Sequence, residues 1–470
     1  MNKIISLFIC IFFIGIVMLS CAGESVNYTQ ITGVYKGDLK DKEILLSKVL
    51  NGKKETVAST KLGDDGRFAF TYAVETPGIF LLNVVWESDQ RNVNKDHDLK
   101  RFYLEDGVKI DLSLSESNYK LLNSNCKKNN MLSEWNNIVD TLFTHSHGFT
   151  YTNSTYKVYF PLLLKVIKQA EEFQDHANTR DEKFDKLLHA MVNNDINCSA
   201  LNLLYTPRGE HPQKENYPEF YTQLQKNGAP SDEILLNLPN GAEYMHLFTM
   251  NKIVSENAMS LPIPEMIRLS LGAIKNNLLK GHFAISYLSS FIAYDDSYIA
   301  FKEIITPYLL TPYLEEKVKA HEMKIRNFEK GALAFDFAGT DLNGKEHNLS
   351  DFKGSIVYVD VWATWCGPCR KEIPALQKLE KEYHDKPITF MSISVDKPQD
   401  RDKWLKFVVD KKLGGVQIMA DKAFDSDVVQ AYRIKGIPRF MLFDKEGKIV
   451  TINADRPSSP NIRTILNALL

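Results

Sequence analysis

Residues 357–374, VYVDVWATWCGPCRKEIP, place two of the chain's six cysteines two residues apart, between an apolar run and a charged segment. The apolar run is strand-like, and Pro374 is followed by a pattern that suits a helix, so Cys366 and Cys369 stand one helical turn apart at a strand-to-helix junction. Such a pair can hold a metal, lock a loop or exchange electrons. A zinc knuckle needs four ligands, and no second Cys or His pair lies near Cys366 in the sequence, so no metal is expected. His145 and His147, in THSHG, read as part of a polar loop. The rest of the chain bears on the other two options.

At 470 residues the chain exceeds what one hydrophobic core ordinarily serves, which favours two to four domains. With 44% hydrophobic and 25% charged residues it is globular, and a net charge of -2 offers no footprint for nucleic acid. The N-terminus differs: Lys3 precedes an apolar run over residues 4–19, broken by Ser6 and Gly15, and then come Ser20, Cys21, Ala22 and Gly23. This reads as an export signal, too short for a comfortable membrane span. It resembles a bacterial lipoprotein signal, although Met18 stands where Leu is usual. That resemblance implies lipidation of Cys21, a lipid-anchored mature chain and a location in the cell envelope, facing the periplasm. Cys10 then leaves with the signal, and Cys126 and Cys198 remain beside the central pair. In an oxidising compartment they can pair or stay free, and their separation in sequence leaves both open.

Residues 1–21 are therefore expected to be a signal peptide and residues 22–120 a β-sandwich-like domain. In the latter, ITGVYKG, KEILLSKVL, RFAFTYAV, GIFLLNVVW and VKIDLSL are short runs rich in β-branched and aromatic residues. Asn51 with Gly52, and Asp64 to Gly66, supply hairpin turns, and residues 91–100 form a polar loop. Residues 121–330 show apolar positions at three- and four-residue intervals and are expected to be a helical domain. Its last helix runs through YLEEKVKAHEMKIRNFEKG, with Gly331 as its C-cap and as the domain boundary. Residues 331–470 alternate strand and helix, which implies a largely parallel sheet covered on both faces, with an edge hairpin around Lys445, Glu446 and Gly447.

The C-terminal segment resembles the thioredoxin fold, and more narrowly the exported thiol-disulfide oxidoreductases of the TlpA/ResA type. The residues that carry the resemblance are Trp365, Cys366, Gly367, Pro368 and Cys369 after an apolar strand, Pro374, Ile437 with Pro438 before a late strand, and the segment at 335–354, FDFAGTDLNGKEHNLSDFKG. The arrangement ahead of it is similar to lipoproteins of Bacteroidetes. Independently of the resemblance, a thiolate is the nucleophile in disulfide exchange, and unpaired N–H groups at a helix start stabilise its charge, so Cys366 is the attacking residue. Cys369, expected to be the less exposed sulfur, resolves the mixed disulfide. Pro368 suits the first turn, where its missing N–H has no partner.

The resemblance further implies that Asp360 is the acid beneath the pair and that Glu372 is the family's helix glutamate, either of which can take the Cys369 proton. Glu372 also reads simply as an exposed helix charge. A cis Ile437–Pro438 bond would expose backbone to an extended substrate, so Trp365, Gly367, Pro368, Ile437 and Pro438 are the expected substrate-binding positions. Arg439 replaces the Thr frequent next to that proline and reads as an exposed strand-edge residue, the alternative being recognition of an acidic partner. A peroxiredoxin reading fails because Ala363 and Val359 occupy the Thr and Pro positions of its motif. The expectation is a thiol-disulfide oxidoreductase without a cofactor, acting on protein disulfides with an unidentified electron donor. The β and helical domains would select substrate or build a homodimer. The alternative is a lipid-anchored scaffold whose redox module is auxiliary, since about seven-tenths of the chain lies outside that module.

Overall fold

A computed structural model describes residues 28–86, 100–115, 118–147 and 154–470. The expected signal peptide with Cys21, and the polar loop except Lys100, lie outside the described residues. Tertiary contacts divide the chain into two compact units, one comprising residues up to 49, 54–141 and 168–188, the other residues 50–53, 142–167 and 189–470. This differs from a cut at 120 and 330, because the later helices and the C-terminal sheet fall in one unit.

The first unit is built on eight strands: β1 (Thr29–Tyr35), β2 (Lys42–Leu50), β3 (Lys53–Lys61), β4 (Arg67–Tyr72), β5 (Gly78–Trp86), β6 (Arg101–Leu104), β7 (Lys109–Leu114) and β8 (Tyr119–Ser124). They form two four-stranded sheets, ordered β4-β1-β7-β8 and β3-β2-β5-β6. Alternate residues of β1 are buried, and Ile31, Phe70 and Leu112 of one sheet share a core with Leu46, Phe80 and Phe102 of the other. Asn51 and Gly52 take φ of 52° and 72°, the left-handed pair that a two-residue hairpin between β2 and β3 requires.

In this unit the sequence reading passed over β3, β6 and β8. The first is an exposed, charge-rich strand at the end of its sheet. The second carries Arg101, whose guanidinium is fully buried and donates to Asn136 Oδ1 at 3.0 and 2.6 Å. β8 runs past residue 120, and the first helix begins only at Lys127, so the expected boundary at 120 cuts a strand.

The helices that follow are α1 (Lys127–Ser146), α2 (Tyr156–His176), α3 (Glu182–Tyr205), α4 (Glu219–Asn227), α5 (Gly241–Ser255), α6 (Ile263–Ala273), α7 (Asn277–Ile285), α8 (Asp296–Ile305) and α9 (Pro312–Ile325). His145 belongs to α1, and His147 packs half-buried against Asn202 at 2.9 Å, so the pair is not the polar loop expected. Among the described residues no His, Cys, Asp and Glu cluster could hold a metal. Gly331 does not cap a helix. α9 ends at Ile325, and Gly331, at φ 89°, sends its N–H to Ile449 O at 2.8 Å and so starts the next sheet.

The C-terminal part contains β9 (Ala338–Asp341), β10 (Glu346–Asn348), β11 (Ile356–Trp362), α10 (Gly367–Glu382), β12 (Ile388–Ser394), α11 (Arg401–Lys411), β13 (Val416–Met419), α12 (Asp427–Ala431), β14 (Arg439–Phe443), β15 (Ile449–Thr451) and α13 (Asn461–Leu469). The sheet order is β10-β9-β13-β12-β11-β14-β15. Only the β11–β12 and β12–β13 pairs are parallel, so the sheet is mixed rather than largely parallel. α10 and α11 carry the chain across between the parallel strands, short hairpins join β9 to β10 and β14 to β15 at the edges, and β9 and β14 enter antiparallel to β13 and β11.

Both faces of the sheet are covered, as expected. Ile356 and Tyr358 pack with Leu376 and Leu379 of α10 and Ile462 and Leu466 of α13. Val357, Val359 and Val361 share the opposite core with Trp404 of α11, Val428 of α12 and Phe328 of the preceding helical segment. This explains why every residue of β11 is buried, and why it reads as a continuous apolar run interrupted only by Asp360.

Candidate active site

β11, held between β12 and β14, delivers the chain into the turn that carries the cysteine pair. A buried carboxylate not foreseen from sequence fixes that turn. Asp396, just beyond β12, accepts from the Thr364 backbone N–H at 2.9 Å and from Thr364 Oγ1 at 2.7 Å, and is itself held by Ser394 Oγ at 2.7 Å. An acid directly after an apolar strand, ISVD, was the available signal. Cys366 is the N-cap of α10, and its Sγ accepts the Cys369 backbone N–H at 3.2 Å. Gly367 and Pro368 form the first turn, and Pro374 lies within the helix.

Cys366 and Cys369 are joined as a disulfide with Cα atoms 5.3 Å apart. Both are buried, at 4% and 3% exposure, so in this oxidised form exposure does not rank the two sulfurs as the sequence suggested. The helix-cap geometry does distinguish them, because it supplies an N–H to the Cys366 sulfur. Trp365 is half-exposed, with its ring 6.3 Å from that of Phe424. The Ile437–Pro438 bond is cis, and both residues are partly buried. Arg439 begins β14, an interior strand between β11 and β15, and donates to Asn453 Oδ1 at 2.8 Å, so it is not the strand-edge residue expected. Cys126 and Cys198 are each free and buried.

Asp360 faces α10 and lines a small cavity with Trp362, Ile373, Leu376, Gln377 and Glu380 among others. Neither cysteine is part of its wall, so the acid sits under the second and third turns of α10. Burial, reinforced by the Glu372 and Glu380 carboxylates, pushes Asp360 up to about 8. Glu372 is buried rather than an exposed helix charge. It accepts from the Ser458 N–H at 3.1 Å and Ser458 Oγ at 3.0 Å, with Arg456 at 3.6 Å. Glu380 stands eight residues, about two turns, beyond Glu372, a spacing visible in the sequence, and burial raises it to about 7.

A disulfide at a helix start suits thiol chemistry, and comparison with known proteins decides the family. The Redoxin family model matches residues 322–469. The chain is 32% identical over 127 residues to the thiol-disulfide oxidoreductase ResA of Bacillus thuringiensis, covering 27% of this chain and 70% of that protein. It is 30% identical over 140 residues to ResA of Geobacillus thermodenitrificans, covering 30% and 77%. The chain belongs to the TlpA/ResA-type thiol-disulfide oxidoreductases.

The membership rests on the C-terminal third, which carries the thioredoxin-like fold and makes the protein an oxidoreductase of that superfamily. The solved thioredoxin domain of a Bacteroides vulgatus thiol-disulfide oxidoreductase is 34% identical, covering 30% of this chain and 98% of that chain, with a TM-score of 0.27.

Proposed function

We propose that this TlpA/ResA-type oxidoreductase exchanges disulfides of envelope proteins through Cys366 and Cys369, most often in the reducing direction. The observation that carries this reading is the Cys366–Cys369 disulfide, with its first sulfur at the N-cap of α10. Reduced Cys366 attacks a partner disulfide as the thiolate, Cys369 loses its proton toward Asp360 or Glu372, and Cys369 then attacks Cys366 to release the reduced partner. Trp365, Gly367, Pro368, Ile437 and Pro438 form the surface that receives the partner. An electron donor restores the dithiol, and no cofactor takes part. The β-rich and helical regions that precede the redox module serve partner selection or homodimer formation.

Turnover of a model protein disulfide such as insulin, with dithiothreitol as donor, tests the reading. Wild type should accelerate reduction, and Cys366→Ser should bring the rate to background. Equal acceleration by both proteins would place the activity elsewhere.

The lipid anchor is proposed from Ser20 and Cys21 and the apolar run before them. Among the described residues no helix is long and apolar enough to cross a membrane. Cys21→Ser should release the chain from the membrane fraction or block its processing. Undiminished lipid labelling of that variant would remove the anchor from the proposal.

A further inference from the structure

The cavity under α10 gathers, around Asp360, polar atoms that the cycle above leaves unused. Asp360 Oδ1 and Trp362 Nε1 from β11, and Gln417 Oε1 from β13, are buried with no hydrogen-bond partner. All three residues line this one cavity, together with Glu380, Ser392 and Gly414. About 10 Å³ of it admits the centre of a water molecule, which is space for one. Apolar voids stay dry, whereas buried polar groups of this kind recruit water to complete their hydrogen bonds.

Glu380 forms the outer wall. It is partly exposed where Asp360 is buried, so the two carboxyls run from interior toward surface. The backbone opposite is shaped around it: a Cβ on Gly414 would lie 2.5 Å from Glu380 Oε2, and one on Gly415 would lie 3.2 Å from Oε1. The titratable groups here are Tyr358 and Asp360 on β11 and Glu372 and Glu380 on α10. Arg456 meets Glu372, and no residue lining the cavity is basic.

We infer that Glu380 is the outlet of a proton path, Asp360 to water to Glu380, that carries the Cys369 proton to solvent through the cavity under α10. The inference rests on the oxidoreductase reading and adds a residue that acts through Asp360. In the resolving step the Cys369 S–H bond breaks and its proton goes to the Asp360 carboxylate. The Cys369 thiolate then forms the bond to Cys366 Sγ, and the Cys366-to-partner S–S bond breaks. Two electrons leave with the partner thiolate, which takes a proton from solvent. Asp360 returns to the carboxylate by passing its proton through the cavity water to Glu380, and Glu380 releases it to bulk. Burial places both carboxyls in the neutral range, about 8 and about 7, so each can hold and release a proton at working pH.

The test is stopped-flow reaction of the reduced full chain with 5,5′-dithiobis(2-nitrobenzoate), whose first coloured phase reports attack by Cys366 and whose second reports resolution by Cys369. Glu380→Gln should slow the second phase about tenfold near pH 7 and displace its pH inflection, leaving the first phase unchanged. Gly414→Ala, which crowds the Glu380 carboxylate without removing a titratable group, should give the same split, and Glu380→Asp should recover part of the rate. In wild type, ¹³C-carboxyl resonances of Asp360 and Glu380 should titrate above pH 6. Two carboxyls that finish titrating below pH 6, or a Glu380→Gln second phase equal to wild type from pH 6 to 9, would overturn the path. A wild type that shows no second phase would instead count against the oxidoreductase cycle itself.

Discussion

Cells producing the Cys369→Ser variant should accumulate the protein in covalent, dithiothreitol-sensitive adducts with its partners, and Cys366→Ser should give far fewer. The difference arises because serine at 369 keeps the backbone N–H that meets the Cys366 sulfur at 3.2 Å, so the helix-cap activation of Cys366 survives. What disappears is the intramolecular thiol that ends the mixed disulfide. A well-oriented neighbouring nucleophile acts as though present at very high concentration, so adduct lifetime should lengthen at least about a thousandfold. Non-reducing electrophoresis of trichloroacetic acid-quenched cells measures it. Adducts equally abundant in both variants would contradict the assignment of Cys366 as the attacking sulfur and favour a scaffold whose redox module is idle.

Asp360→Asn should make the oxidised protein more stable at pH 8 while slowing resolution. Burial and two neighbouring carboxylates raise the Asp360 carboxyl from its ordinary 3.8 to about 8. The folded chain therefore keeps a proton that the unfolded chain has already released, and folding stability falls as pH rises between those two values. Below the ordinary value both states are protonated and the cost vanishes. Asparagine carries no such charge, so the variant should gain about 2–4 kcal/mol at pH 8 and little at pH 4. Urea unfolding of both proteins at the two pH values reads this directly. A gain of equal size at both would show that packing, not ionisation, is responsible. In the same variant, formation of the mixed disulfide should keep its rate while collapse slows about a hundredfold. Equal slowing of both steps between pH 6 and 8 would rule out the proton-acceptor role.

Several elements of the fold were legible because their signals are local. β2 and β5 match the apolar runs 42–50 and 78–86 residue for residue. The Asn51 and Gly52 turn followed from the φ it demands, and α10 followed from the Cys, Gly and Pro at its start. Elements stabilised from outside themselves were not legible. β6 depends on α1, where Asn129 both receives the Tyr103 N–H at 2.8 Å and donates to Tyr103 O at 2.9 Å, and Asn136 holds Arg101. The charges of β3 hid a strand that needs only one ordered neighbour, at the edge of its sheet.

The chain's sequence alone specified the redox pair, its place at a helix start and the acid interrupting a buried strand, because each is set by spacing along one short segment. It also carried the family, through residues close together around Cys366 and Pro438. What surrounds them was set by the packing of distant segments. It placed Glu372 against Ser458, clamped Thr364 to Asp396 and set Glu380 across a cavity from Asp360. It also made the sheet mixed rather than parallel. All four depend on which distant segments pack together, because that packing sets strand direction and buries each carboxylate.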